Sequence, residues 1–489
     1  MNRIYRFLII SVLLTISCTD NNEPPEEELA NLPPDNFAVK AEEVTDKEAT
    51  ISWEAASDPE NDPVDYDVYL GTKMLLENSK LLSLSIEDLE PDTDYSGKVV
   101  ASDGKNETST GFSFTTTSFI PLVFTGDVQL NTQQEVEEFG AQGYNKIEGN
   151  LFIGKDDNIT NDIDDLSSLN DLMEVSGTVN VADTILEYLE GFDNLTSVGS
   201  AFRLAHNNQL INLDALANLE NVGDLIVGGF ALESIKGLSK VTSVNGLAVG
   251  GTYKLTSLEG LENLTEVKGF LTIHSNFVLV DLLPLSQVTG TVENLQIAGC
   301  LSTNLEGLHN ITRVENGISI IGNDELRNLN GLRNITYGGS FDLIIESNSE
   351  LQNLDGLNQL TSIGRELYIQ YNPNLTNLNG LDNVTTIGGQ VWIWENLAFE
   401  SLEALSKVEE IRGPLRIKGN NALTNLNGLE NLRILQGDLQ INENENLSDL
   451  CGLQDFFIND QHAEARFHFI DKNAYNPTRE DIIDGNCSL

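Results

Sequence analysis

From about residue 150 onward the chain repeats itself every two dozen residues, and that period constrains the fold more than any other feature of the sequence. The unit reads L-x-I-x-x-N-x-x-L-x-x-L-x-G-L-x-x-[LVI]-x-x-[IV]-x-G. Leu367, Ile369, Asn372, Leu375, Leu378, Gly380 and Leu381 match it, and later copies run through Ile393 and Asn396, Ile417 and Asn420, and Ile441 and Asn444. The second strand residue recurs at Ile273, Ile297, Ile320, Ile345, Ile369, Ile393, Ile417 and Ile441, in steps of 23 to 25 residues. Looser copies reach back through Val249, Val227, Leu204 and Val181 to Ile153, for 13 coils in all. One such unit cannot bury its own apolar face, so stacking must create a continuous core. L-x-I alternation places Leu and Ile inside and the residue between them outside. The Asn three positions after each Ile falls where the chain turns, and stacked amides there would satisfy backbone groups otherwise buried without partners. Cys300 stands in that column and reads as a buried thiol.

A second apolar pair follows in each unit, as in Leu360-Thr-Ser-Ile363 and Val384-Thr-Thr-Ile387 with Gly364 or Gly388 behind it. Short strands on more than one side favour a β-helix over strand-plus-helix coils. The repeats resemble bacterial leucine-rich-repeat-like proteins of the receptor L-domain class, which implies a right-handed parallel β-helix and says almost nothing about a ligand. Asn194, Asn263, Asn310, Asn334 and Asn383 open Asn-x-Thr triplets at one repeat position. Their periodicity marks them as turn-and-strand residues rather than glycan acceptors.

Between Pro33 and Ser118 the pattern changes to short alternating runs such as Ala49-Thr-Ile-Ser-Trp53 and Tyr66-Asp-Val-Tyr-Leu70, which read as antiparallel sandwich strands. Leu89-Glu-Pro91-Asp-Thr93-Asp-Tyr95 resembles the fibronectin type III tyrosine corner, which implies a phenol bonded back to backbone and Trp53 as the core aromatic. The acidic loop Asp58-Pro-Glu60-Asn61-Asp62 has hard oxygen ligands suited to calcium, but one such loop in so acidic a chain assigns no metal.

The ends carry the location signals. Arg3 and Arg6 precede an apolar run, Phe7 to Leu14, too short to span a bilayer. Leu14-Thr15-Ile16-Ser17-Cys18 resembles the lipobox of bacterial lipoproteins, which implies an acylated Cys18 and an outer-membrane envelope protein, and the acidic run behind it resembles the surface-export signal of some Gram-negative lipoproteins, which implies display outside the cell. The expected organisation is a signal peptide at 1–17, an acidic tether at 18–32, a fibronectin type III-like domain at 33–118, an N-terminal cap at 119–148, repeats at 149–458 and a C-terminal cap at 459–489. Thr132-Gln-Gln-Glu135 reads as a capping box opening the first cap. Cys451 and Cys487 are the expected disulfide pair in an oxidising envelope. The whole reads as all-β: a fibronectin type III-like sandwich followed by a right-handed parallel β-helix of about 13 coils.

With 76 acidic against 27 basic side chains the net charge is −49, which excludes nucleic acid as a partner and leaves the lipid as the expected tie to a membrane. No H-E-x-x-H, G-x-S-x-G or phosphate-binding loop is present, and His206, His274, His309, His462 and His468 are scattered. The expected protein is therefore not an enzyme, and it uses no cofactor. The outward columns of the first strand read Ser319, Ile344, Tyr368, Trp392, Arg416, Gln440 and Ile321, Glu346, Gln370, Trp394, Lys418, Asn442. Two of the three Trp thus meet Tyr368, Arg416 and Lys418 on one surface, the candidate site for a protein or glycan partner. The alternatives are an aromatic ladder that only shields the sheet, a polysaccharide-active enzyme using Arg416, Lys418 and Glu346, and a structural spacer.

Overall fold

The computed structural model describes residues 30–155, 159, 161–338, 341–459 and 468–489. The expected signal peptide, the lipobox with Cys18, most of the tether, and His462 lie outside the described residues. Two compact units divide between Ile120 and Pro121.

In the first unit, strands Val39–Glu42, Ala49–Trp53 and Ser83–Ile86 form one antiparallel sheet, and Lys73–Ser79, Asp65–Leu70, Asp94–Ser102 and Glu107–Thr115 form another. Period-two alternation puts Ala49, Ile51 and Trp53 inward on one strand and Tyr66 and Val68 inward on another, so the two sheets bury each other. Tyr95 behaves as its resemblance implies: its phenol oxygen accepts the Glu90 backbone N–H at 2.9 Å. Trp53 is buried against Tyr66, with ring centroids 5.8 Å apart. In the acidic loop, Asp58 Oδ1 accepts the backbone N–H groups of Glu60 and Asp62, each at 2.9 Å, so this side chain organises its own loop.

In the second unit the repeats stack as parallel strands. Ile345 pairs with Ile369, Ile369 with Ile393, Ile393 with Ile417 and Ile417 with Ile441, each in register across one repeat length. All these Ile and their Leu or Val partners two residues earlier are fully buried. The ladder also continues past the sequence repeat at both ends. Val128–Leu130 adds a rung before Leu151–Gly154, and His468–Asp471 adds one after Leu439–Asn442. Thirteen repeats therefore give a β-solenoid whose first face has fifteen rungs. A second face carries two-residue strands, among them Ser362–Ile363, Thr386–Ile387, Glu410–Ile411 and Ile434–Leu435, in one parallel sheet. The L-x-x-L segment between the faces closes in single 3-10 turns such as Asn330–Leu332 and Glu403–Leu405.

Three columns hold the coils together at their corners. The buried Asn column forms a continuous chain: the side-chain amide of Asn396 donates to the Ile369 carbonyl of the preceding coil at 2.8 Å, and its Oδ1 accepts the backbone and side-chain N–H groups of Asn372 at 3.0 and 3.1 Å. Asn348, Asn372, Asn420 and Asn444 repeat the arrangement. The residue just before this Asn adopts a left-handed backbone in coil after coil, at Ser347, Tyr371, Glu395 and Glu443 with φ of 56°, 58°, 56° and 61°. That conformation normally costs a non-glycine residue stability and persists only where its surroundings fix it. Tyr371 and Glu395 gave no hint of it in the sequence.

The Asn-x-Thr triplets form the third column. The side-chain amide of Asn383 donates to the Asn358 carbonyl at 2.9 Å, and Thr385 Oγ1 donates to the Thr361 carbonyl at 3.3 Å. The amides of Asn194, Asn263, Asn310 and Asn334 likewise donate to the preceding coil. Each sequon nitrogen is thus engaged in holding two coils together.

At the N-terminal end the helix Gln133–Gly140 covers the core with Val136. Thr132 Oγ1 accepts the Glu135 N–H, but the Glu135 carboxylate closes on the Asn131 N–H rather than on that of Thr132, a modified form of the expected capping box. At the other end Cys451 and Cys487 form a disulfide. Among the described residues no helix is long and apolar enough to cross a membrane.

Candidate functional site

Parallel pairing sets Tyr368 beside Trp392, Trp392 beside Arg416, and Arg416 beside Gln440, while Gln370, Trp394, Lys418 and Asn442 line up in the neighbouring outward column. The five residues singled out in the sequence therefore share one surface. The indoles are half-buried rather than open. The edge of Tyr368 meets Trp392 at 5.3 Å and 86°, and the Arg416 guanidinium lies 4.9 Å from the Trp392 ring centroid. Lys418 Nζ sits 4.8 Å from the Trp394 ring centroid. These cation–π contacts occupy the ring faces on which a sugar ring would otherwise stack. What remains for a ligand is a set of ring edges, N–H donors and amides.

Hydrogen bonds fix the site from behind. The Tyr368 hydroxyl donates to the Glu366 carboxylate and accepts from the Gln390 amide. Burial, followed by the nearby Glu366 carboxylate, pushes the phenol up to about 12, so it stays protonated and in place. Trp394 Nε1–H donates to Glu395 at 3.1 Å, whereas the buried Trp392 Nε1 has no hydrogen-bond partner among the described residues. Arg416 Nε donates to Gln440 Oε1 at 3.0 Å. Lys418 pairs with Glu443 at 3.3 Å, and Lys418, aided by Lys472, holds that carboxyl below its usual range.

Beyond the two cations lies a hollow of about 520 Å³, floored by Gln440 and Asn442 and closed on its far side by Phe469. Phe469 pairs with Gln440 across the last rung and extends the outward column. Sequence reasoning missed it because the step from Ile441 to Ile470 is 29 residues, so the period breaks before that strand. The same reasoning missed a second aromatic ladder, Phe230, Tyr253 and Phe277, whose rings meet at 5.1 and 4.9 Å along the turn edge.

Residues 32–116 match the family model of the fibronectin type III domain. The N-terminal sandwich is a fibronectin type III fold. No curated protein matches the chain. A solved structure of a computer-based redesign of a β-sandwich protein is 24% identical, covers 18% of this chain and 98% of its own, and has a TM-score of 0.16.

Cys300 occupies the Asn column as the sequence implied. Its backbone N–H donates to Asn323 Oδ1 at 3.1 Å and its thiol points at the Ile273 carbonyl at 4.0 Å, the place an Asn amide takes in other coils. Burial pushes the thiol up to about 11, which opposes thiolate formation. Glu346, the carboxylate named for an enzyme reading, accepts from the Gln370 amide at 3.0 Å. Among the described residues no group of three or more His, Cys, Asp or Glu side chains is placed to hold a metal.

Proposed function

We propose that this is a non-catalytic recognition protein, lipid-anchored in a bacterial cell envelope through Cys18, that presents the outward face of its solenoid to a glycan or protein partner. One observation carries the recognition reading: stacking gathers two of only three Trp, together with Phe469, Arg416 and Lys418, around a single hollow, with Tyr368 against Trp392 beside it. Aromatic and Arg side chains clustered over a depression are the composition of binding hot spots. The anchor rests on Leu14 to Cys18 and display on the acidic residues behind them.

The test uses the full chain as bait on envelope extracts and glycan arrays. Trp392→Ala with Trp394→Ala should abolish capture of the partner, while far-UV circular dichroism remains that of the parent. Cys18→Ala should move the protein from the membrane fraction to the soluble fraction. Unchanged capture of every partner by the double variant, together with a lower melting temperature, would assign the aromatics to shielding the sheet. Retention of Cys18→Ala in membranes would remove the anchor.

A further inference from the structure

The hollow beside the indoles brings two cations together with three aromatic side chains, Trp392, Trp394 and Phe469. The chain has 76 acidic side chains, and two depressions display them: Glu266, Glu293 and Glu315 line one, and Asp164, Asp165, Glu187 and Glu190 line the other. Among the described residues no Asp or Glu lines the hollow, whose polar lining is Arg416, Lys418, Gln440 and Asn442. Glu443 neutralises Lys418. Arg416 has no such partner: Nε donates to Gln440 Oε1 at 3.0 Å, Nη1 reaches Gln390 Oε1 at 3.5 Å, and among the described residues no carboxylate forms an ion pair with it. A guanidinium held against Trp392, half-buried and facing only neutral acceptors, keeps donors for a planar anion.

We propose that the hollow seats a carboxylate-bearing sugar unit, with the carboxylate on the N–H edge of Arg416 and hydroxyls on the amides of Gln440 and Asn442. This rests on the recognition reading and names its ligand class. Three rungs separate Trp392 from Phe469, about 14 Å at strand spacing, which is room for a short oligosaccharide segment. An acidic peptide fits less well. The strands that carry Trp392, Arg416 and Gln440 are each paired on both sides, so an extended peptide finds no backbone edge to join there. Amide floors also both donate to and accept from hydroxyls. The acidic residues elsewhere on the chain oppose the approach of an anion, but at physiological salt charges more than about 8 Å away are largely screened, so the contact group decides.

Calorimetric titration of the full chain in detergent with trigalacturonate, its methyl ester and a Glu-rich hexapeptide tests this. Trigalacturonate should bind at least about tenfold more tightly than the ester. Arg416→Gln should erase that preference, so that acid and ester bind alike. The ester removes the carboxylate without altering the protein, so the comparison holds even if the variant misfolds. Equal affinity for acid and ester would overturn the carboxylate assignment and leave the recognition reading standing. Tighter binding of the hexapeptide, or no saccharide bound while the Trp pair still controls partner capture, would overturn the sugar class. Loss of neither ligand nor partner on replacing the Trp pair would overturn the recognition reading itself.

Discussion

Replacing Gly380 with Ala should unfold the coils around it. Gly380 has φ +110°, and a Cβ built there overlaps the Leu354 carbonyl oxygen of the preceding coil and lies 2.5 Å from the carbon of that carbonyl. The clashing atoms are backbone, so no rotamer change relieves them. Backbone strain of about 1–3 kcal/mol and overpacking of about 1–3 kcal/mol act together, for an expected loss of about 4 kcal/mol. Gly356, Gly428 and Gly452 make the same approach to their preceding coils. Each coil touches only its neighbours, so the damage should be local. Hydrogen exchange should quicken in residues 354–405 and change little in the fibronectin type III sandwich. Unaltered protection in that window would mean the coils are not packed backbone to backbone.

Asn396→Ala should cost a similar amount by a different route. The substitution deletes the bond to the Ile369 carbonyl at 2.8 Å and the acceptor for both N–H groups of Asn372. It strands the Ile369 carbonyl and the Asn372 backbone N–H in fully buried residues, while the Asn372 amide keeps the Ile345 and Gln370 carbonyls. At roughly 1–3 kcal/mol for each unsatisfied buried group, the expected loss is about 4 kcal/mol. Asn396→Asp separates hydrogen bonding from volume: it keeps the size and the acceptor, loses the donors, and should also destabilise in chemical denaturation. A neutral outcome for both variants would reduce the Asn column to turn propensity. Cys300 shows that the column tolerates one weak member, since its thiol takes the same place with longer contacts.

The parts of this molecule that were legible in the sequence are those in which one side chain type repeats. Ile369, Ile393 and Ile417 announce the inward strand, Asn372, Asn396 and Asn420 the turn, and Leu89 to Tyr95 the sandwich corner. Gly380 was visible as a column, but the reason for it, a carbonyl pressed against its Cα, belongs to the neighbouring coil. The left-handed backbone at Tyr371 and Glu395 was hidden because side chains there are not glycine. The columns gathered Tyr368, Trp392, Trp394, Arg416 and Lys418 correctly. They could not reveal that Arg416 and Lys418 fold over the indoles, because rotamers are set by local packing. Phe469 escaped because five extra residues precede its rung.

The proposed contact surface exists only if the last strand, beyond the end of the repeat, is a rung of the same ladder. Spin labels at Ser319 and Phe469 measure this by pulsed dipolar spectroscopy, since successive pairings place these residues six rungs apart. The expected result is a narrow distribution centred near 29 Å, six intervals of about 4.8 Å. A broad distribution, or one centred beyond about 40 Å, would mean that Phe469 does not close the hollow and that the proposed contact surface is not formed.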